Sequence, residues 1–279
     1  MDTLLRLESP KDFLGGSATH ADAPRCREAG VQDMVTAVCA EGESNVMGAL
    51  ERGMEAWRQL RGTADPRLHL MLEGCEPLTL MEDPEPLLTD LEMATLTWNP
   101  ANSLAGGVES DTGLTDVGRS WVRRLVSRGV MLDVSHLCPR SRRELLGFHD
   151  GPLVASHSNA AALCDHPRNL FDDDIREIAS RGGILGITFV PSFLGGDASL
   201  RRVVDHVAHV ADIAGVKAVA FGSDFDGISR LPAGITGCQS WPAVLEEMER
   251  RGFNDSEIGA VAAENWRRLL PRRNGRDHR

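Results

Sequence analysis

Short apolar runs of strand length recur along the chain, and segments with helical periodicity separate them. Seven of these runs predict strands, at residues 30–40, 68–72, 93–98, 130–134, 153–155, 183–189 and 218–221. Several are too apolar to belong to half-exposed strands, which is typical of parallel strands that are covered on both faces. Regular alternation of strand and helix therefore predicts an α/β fold built on a parallel sheet.

The intervening segments place apolar residues on one helical face, as Val46, Leu50, Met54 and Trp57 do. Such spacing predicts helices at residues 44–61, 115–128, 141–148, 172–181, 201–215 and 241–251. No linker is evident, so we expect one domain over residues 1–270 and a basic, disordered tail over 271–279. The length suits a (β/α)8 barrel of the TIM type, which typically has about 250 residues. Seven strands are one too few, and nothing before Pro24 reads as a central strand. We therefore expect the barrel to lack its first strand.

Composition narrows the classes of function. A net charge of −11 argues against binding to nucleic acid, which needs a basic face. No apolar stretch approaches the roughly 20 residues that span a bilayer. The N-terminus lacks the layout of a signal peptide, so a cytoplasmic location is expected. Six cysteines without C-x-x-C spacing are expected to be reduced thiols.

Four acidic or histidine residues each close an apolar run, namely Glu73, His136, His157 and Asp224. In a parallel barrel the C-terminal ends of the strands build the active site, and these side chains are ligands for divalent metals. The alternative for the two histidines is a hydrogen-bonded loop role, and for Glu73 an ion pair inside the barrel. Asp224 could act as the acid/base beside a metal, whereas we expect the nearby Asp226 to cap a loop.

Arg168 is a candidate for binding a substrate carboxylate through its planar guanidinium. A structural ion pair with Asp172 or Asp173 is nearly as well supported by the sequence. We expect the remaining histidines to be structural or exposed to solvent. The glycine-rich residues 99–113 are predicted to form an active-site loop. Sequence motifs for nucleotide binding and for serine hydrolases are absent.

Longer motifs carry a resemblance. The runs GLTDVGRSWVRRLVSRGVMLDVSHL, PLVASHSNAAALCDHPRNLFDDDIREIASRGGILGITF, DHVAHVADIAGVKAVAFGSDFDG and ENWRRLL closely resemble the membrane dipeptidase family, peptidase family M19. That family belongs to the amidohydrolase superfamily of metal-dependent barrels. The resemblance implies two zinc ions and hydrolysis of dipeptides by metal-activated water. Glu73 would bridge the metals, His136 and His157 would ligate one zinc, Asp224 would be the acid/base, and Arg168 would bind the substrate carboxylate.

Two positions depart from the family pattern. The family's first strand ends in a His-x-Asp pair; Asp2 falls on its metal-binding Asp, whereas the His and the strand that carries it are absent. Trp98 stands where many members have a histidine that polarises the scissile carbonyl. The missing His leaves one metal without an imidazole ligand, whereas Trp98 bears on the rate or on the choice of substrate.

The sequence therefore supports three hypotheses. The first is an active zinc dipeptidase whose start codon lies upstream of Met1. The second is a weakened or inactive barrel that serves as a binding or scaffold protein, and the third is an amide hydrolase of a specialised metabolite. A dipeptide is the expected partner, a homodimer is left open, and the preferred dipeptide is not determined by the sequence.

Overall fold

The computed structural model describes residues 2–63 and 65–270, and the chain in this range is built on one parallel sheet. Its seven strands follow one another in sequence order, each paired in parallel with the next. They are β1 Asp33–Cys39, β2 Arg67–Glu73, β3 Met93–Thr95, β4 Met131–Asp133, β5 Leu153–Ser158, β6 Ile184–Ile187 and β7 Val219–Phe221. The predicted α/β class and all seven strands are confirmed. The predicted tail, residues 271–279, lies outside the described residues.

Helices fill the connections. The longer ones are α4 Val46–Leu60, α7 Asp116–Ser127, α8 Pro139–Phe148, α9 Asp172–Ser180, α11 Leu200–Ala214 and α12 Trp241–Arg250, and they confirm the six predicted helices. Shorter ones are α1 Thr3–Arg6, α2 Pro10–Gly15, α3 Ala23–Glu28, α5 Glu76–Leu80, α6 Glu85–Asp90, α10 Pro191–Leu194, α13 Asp255–Gly259 and α14 Asn265–Leu269, with 3₁₀ turns at Val216–Ala218 and Cys238–Ser240 and a π-helical turn at Ala260–Glu264. Among the described helices, none has both the length and the apolar character to cross a membrane.

The N-terminal segment contains a short helix that the sequence pattern did not predict. Residues Pro10–Gly15 form α2, which begins with a capping box between Ser9 and Asp12. In this motif each of the two side chains accepts a hydrogen bond from a backbone N–H at the start of the helix. Two backbone donors that would otherwise be unsatisfied are thereby paired. A helix of one and a half turns is too short to show apolar periodicity, which explains why the pattern missed it.

The sheet curls around an inner core of its own. Buried residues from six strands and the C-terminal segment meet there: Ala37, Met71, Met93, Val154, Ile184, Ala220 and Leu270. Trp266 and Leu269, from α14, pack against this inner cluster. The long helices bury their apolar faces against the outside of the same strands. This arrangement is an open barrel of seven strands rather than a flat sheet.

The opening lies between the two edge strands, β1 and β7, which are not hydrogen-bonded to each other. A cavity of about 360 Å³ occupies this gap, which we call the slot. Val35 and Ala37 line one side, Phe221 lines the other, and Trp266 is also in its lining. The Trp266 indole N–H donates to the Phe221 carbonyl at 2.8 Å and so covers part of the β7 edge. The fold thus brings two strand edges to face each other across an apolar gap.

Candidate active site

Three of the predicted ligands meet at the carboxyl ends of the strands. Glu73 is the last residue of β2, His157 lies in β5, and His136 is in the turn after β4. The Nε2 atoms of His136 and His157 are 2.8 Å apart, and His157 Nε2 is 3.5 Å from Glu73 Oε1. His136 Nε2 also contacts Glu73 Oε1. All three side chains are buried, and their ligand atoms lie within 4.8 Å of one another.

Hydrogen bonds at the far side of each ring fix its tautomer. His136 Nδ1–H donates to Asn99 Oδ1 at 2.8 Å. His157 Nδ1–H donates to Ser156 Oγ at 2.7 Å, and the Ser156 hydroxyl donates onward to Asp133. Both Nε2 atoms are therefore unprotonated and turn their lone pairs toward Glu73. Such outer partners hold metal-binding imidazoles in the required orientation.

This donor set fits a divalent cation. Burial lowers the pKa of His136 to about 4 and that of His157 well below its ordinary value, so both rings are neutral at pH 7. Two imidazole lone pairs and a carboxylate oxygen repel one another at these distances unless a positive charge lies between them. Nitrogen and carboxylate ligands in a compact group are typical of zinc. Glu73, His136 and His157 therefore have the composition and the protonation state of metal ligands.

The sheet is irregular at this point. Val154 and Ala155 pair with Ile184 and Leu185, whereas Ser158 pairs with Ile187, so one extra residue is inserted at 156–157. A bulge of this kind redirects a side chain and is frequent beside active sites. It also brings the Ser156 carbonyl against two glycines: a Cβ at Gly186 would lie 2.1 Å from that oxygen, and one at Gly222 would lie 1.7 Å from it. Only glycine fits at either position.

Two predicted site residues have strained backbones. His136 has φ 69° and Asp224 has φ 58°, in the left-handed region that residues other than glycine rarely adopt. This conformation costs on the order of 1–3 kcal/mol per residue and is concentrated at functional sites. The strained turns after β4 and β7 are the segments from which these two side chains project.

Asp224 and Asp2 lie together beside Gly227. A Cβ on that glycine would be 2.3 Å from Asp224 Oδ1 and 2.7 Å from Asp2 Oδ2. Burial, together with the charges of the neighbouring carboxylates, raises the pKa of Asp224 to about 8 and that of Asp2 to about 7. Asp2 Oδ1 is buried without a hydrogen-bond partner. A cation among these carboxylates would lower both pKa values. Asp2, however, does not join the compact group formed by Glu73 and the two histidines.

Arg168 is buried at the same end of the barrel. Its guanidinium donates to the His157 carbonyl at 3.3 Å and lies 5.4 Å from the centre of the Phe193 ring. Arg168 Nε has no hydrogen-bond partner. The alternative of an ion pair with Asp172 or Asp173 is wrong: these aspartates instead pair with Arg176, and Asp172 also accepts from His209. Arg168 therefore retains an unused donor inside the protein.

Two residues that orient the histidines were not singled out from the sequence. Asn99 lies in the predicted active-site loop, and that loop packs on the site, because Val108 N–H donates to the His136 carbonyl at 2.8 Å. Asp133 is the last residue of β4 and is buried. Its position in the apolar run before His136 was the sequence signal that could have identified it. Trp98 is half-buried with its ring 6.3 Å from that of His136.

Asp226 has the structural role that was expected of it. Its carboxylate accepts from the Thr3 hydroxyl and from the His20 backbone N–H at 2.6 Å. These bonds attach the N-terminal segment to the turn after β7. His206 is also structural, since it is buried and both ring nitrogens bond to backbone atoms of Ala160 and Leu194.

Comparison with known proteins agrees with this geometry. Residues 88–276 match the family model of membrane dipeptidase, peptidase family M19. An uncharacterised dipeptidase of Schizosaccharomyces pombe is 31% identical over 173 residues; the match covers 61% of this chain and 42% of that relative, so the chain spans less than half of it. The crystal structure of dipeptidase AC, a metallopeptidase of family M19, superposes with a TM-score of 0.84 at 25% identity, covering 96% of this chain and 94% of that one. A metallopeptidase from Rhodobacter sphaeroides, liganded with a phosphinate mimic of L-Ala-D-Ala, gives 0.83 at 24% identity, covering 96% and 95%. The chain belongs to the membrane dipeptidase family, peptidase family M19.

Proposed function

We propose that the protein is a zinc-dependent dipeptidase whose metal is held by Glu73, His136 and His157. The observation that carries this proposal is the buried Glu-His-His group, in which both imidazoles are locked with unprotonated Nε2 atoms facing the carboxylate. Membership of the M19 family supplies the class of substrate. A bound zinc ion would activate water as the nucleophile and polarise the scissile carbonyl.

The chain's own residues have distinct roles in this proposal. Arg168 binds the free carboxylate of the dipeptide, because a buried guanidinium with a spare N–H forms a strong charge-assisted pair. Asp224 accepts a proton from the attacking water and delivers it to the leaving amine. Asn99 and the Ser156–Asp133 pair hold the two imidazoles in position.

A second cation would take Asp2 together with Glu73 as ligands. Asp2 has a buried oxygen without a hydrogen-bond partner. Burial is the largest cause of the raised pKa of Asp2, and the negative charge of Glu73 is the second largest. Among the described residues, no compact group of three possible ligand atoms includes Asp2. We therefore propose one firm zinc site and one weak one.

The test combines metal content with hydrolysis. We expect the zinc-loaded protein to release free amino acids from dipeptides and to lose this activity after treatment with a chelator. The double variant His136→Ala, His157→Ala should lose both the firmly bound zinc and the activity. Zinc content equal to that of the parent would show that the ligand assignment is wrong.

Substrate choice provides the matched control. A dipeptide and the same dipeptide with a C-terminal amide differ only in the group assigned to Arg168. We expect the amide to be hydrolysed much more slowly by the parent, and Arg168→Met to lose most of this preference. Zinc binding without hydrolysis of any dipeptide would favour the binding or scaffold hypothesis instead.

A further inference from the structure

Two cysteines from opposite ends of the chain meet beside the slot. Cys26 is in α3, just before β1, and Cys238 begins the 3₁₀ turn that follows β7. They are more than two hundred residues apart in sequence, and both are buried. Their thiols lie close enough for each to shift the pKa of the other. Both residues also line the cavity between β1 and β7.

The surrounding backbone holds this pair in place. The Cys238 N–H donates to the His20 carbonyl at 2.9 Å, which attaches the 3₁₀ turn to the segment that leads into α3. Gly237, with φ 140°, lets the turn approach that closely, since a Cβ there would lie 2.5 Å from the same carbonyl. The contact between the thiols is thus built into the way the two segments pack.

The environment distinguishes the two sulfurs. The Cys238 thiol lies beside the Cys26 thiol, the Asp22 backbone N–H and the positive charge of Arg25. These interactions lower the pKa of Cys238, whereas the same thiol contact and burial raise the pKa of Cys26. A thiol pair with one stabilised thiolate is the usual arrangement for oxidation to a disulfide.

We propose that Cys26 and Cys238 form an oxidisable dithiol, which closes to an intramolecular disulfide that tethers the two edges of the open barrel. Hydrogen peroxide, which is small enough to enter the cavity, is the oxidant. The Cys238 thiolate attacks one peroxide oxygen, the O–O bond breaks, and a sulfenic acid forms with release of hydroxide. The Cys26 sulfur then displaces the sulfenic oxygen as water. In total, two thiols lose two electrons and two protons, and one peroxide becomes two waters.

The consequence is mechanical as well as chemical. The bond would join the chain that enters β1 to the chain that leaves β7, so it would hold the slot at a fixed width. A covalent link that closes so long a loop restricts the unfolded chain strongly. We therefore expect oxidation to raise the midpoint of thermal unfolding by at least about 5 °C.

The experiment treats the full chain with hydrogen peroxide and maps its peptides without reduction. We expect a linked peptide pair containing Cys26 and Cys238, loss of two free thiols, and a higher Tm that a reducing agent reverses. Cys26→Ser should form no link and should accumulate a sulfenic acid at Cys238, which dimedone traps. Cys26→Ala serves the same purpose if the serine variant does not fold.

Cys164→Ser is the matched control. Cys164 is half-buried, and its thiol donates to the Ser192 carbonyl. The Cys164→Ser variant should still form the link between Cys26 and Cys238 and should show the same Tm shift. Oxidation of other cysteines with no link between Cys26 and Cys238 would overturn the proposal. A disulfide between Cys26 and Cys238 that leaves the Tm unchanged would show that the bond does not tether the two edges of the barrel.

Discussion

The two histidines that we propose as ligands depend on residues whose side chains would not touch the metal. Asn99 and Ser156 each accept a hydrogen bond from the Nδ1–H of one imidazole. The Nε2 atom of each ring is therefore unprotonated and free to bind. Burial disfavours the charged form of both rings. A ligand pair prepared in this way does not have to release protons before a cation can enter at neutral pH.

At Asp224 we expect Asp224→Asn to keep the firm zinc while turnover falls by roughly 10²-fold or more, because the amide cannot accept a proton. The measurements are kcat for a dipeptide and zinc content of the purified variant. Asp173→Asn, at a fully exposed position, is the control and should match the parent. A near-parental rate in Asp224→Asn would remove the proton-transfer role, and loss of zinc would make Asp224 a ligand.

Sequence pattern located the residues that close strands but not those that support them. Glu73, His136 and His157 stand out because a polar residue ends an apolar run. Asn99 was missed because its contact with His136 depends on how a long irregular loop folds back, which periodicity does not describe. Asp133 was missed because it lies inside the predicted strand at residues 130–134, and its partner Ser156 lies in the next strand. Of the two serines that flank His157, Ser156 bonds to its ring, whereas Ser158 Oγ has no hydrogen-bond partner.

Among the helices, α11 contains a buried histidine that bonds to two neighbouring segments. His206 Nδ1 accepts from the Ala160 N–H at 3.2 Å, and its Nε2–H donates to the Leu194 carbonyl at 3.1 Å. Burial lowers the pKa of His206 to about 4. Protonation would place a charge inside the protein and remove the acceptor on which Ala160 depends.

This depressed pKa makes stability depend on pH. In the unfolded chain the histidine has a pKa of about 6.5, so between about pH 6.5 and 4 the unfolded state binds more protons and stability falls as pH falls. From pH 7.5 to 5.0 this linkage costs about 2 kcal/mol in the free energy of unfolding. Urea unfolding of the parent and of His206→Gln, which does not titrate, measures it. We expect the variant to be less stable at pH 7.5 but to lose about 2 kcal/mol less on acidification; equal losses in both would contradict the assignment.

Elements of different length were predictable to different degrees. The strands and the six long helices could be predicted because burial on both sheet faces makes strand runs apolar, and because several turns are needed to show a 3.6-residue period. Helices α1, α2 and α3 lie in one short segment and are fixed instead by local caps and by contacts with the turn after β7, such as those of Asp226. Such tertiary contacts leave no periodic signal.

The described chain forms an open barrel, and its slot separates the unpaired edges of β1 and β7. Asp2 lies at the carboxyl end of the slot, where its N–H donates to the Phe225 carbonyl at 3.2 Å. A segment joined in front of Asp2 could therefore run along the slot between β1 and β7. Seven residues, the length of β1, span about 23 Å in extended form. Such a strand would pair two exposed edges and take over the Phe221 carbonyl that Trp266 now covers.

We expect an N-terminal extension of about ten residues, with an apolar strand and a histidine two positions before Asp2, to complete the site. The 279-residue chain should bind one zinc firmly, hydrolyse dipeptides slowly and aggregate more readily than the extended form. The extension should bring zinc content toward two ions per chain and raise the turnover number. The comparison is zinc stoichiometry and dipeptidase rate for the two lengths, side by side.

An extension with the same histidine, but with serine and glycine in place of the apolar residues, is the control and should not rescue. Equal, high activity in the short and extended forms would show that this strand is dispensable.

The homodimer and the single domain ending at residue 270 stay predictions.

The position of Trp98 also determines how the site can be observed. The chain has five tryptophans and no tyrosine, so its near-ultraviolet emission comes from indole alone. One of these indoles lies beside His136, with ring centres 6.3 Å apart. Zinc has no colour of its own, but a cation at this histidine changes the electric field and the freedom of the adjacent indole. The fluorescence of the unlabelled protein would therefore report the entry of a metal at the proposed site, and Trp98→Phe would separate the signal of Trp98 from that of the other four tryptophans.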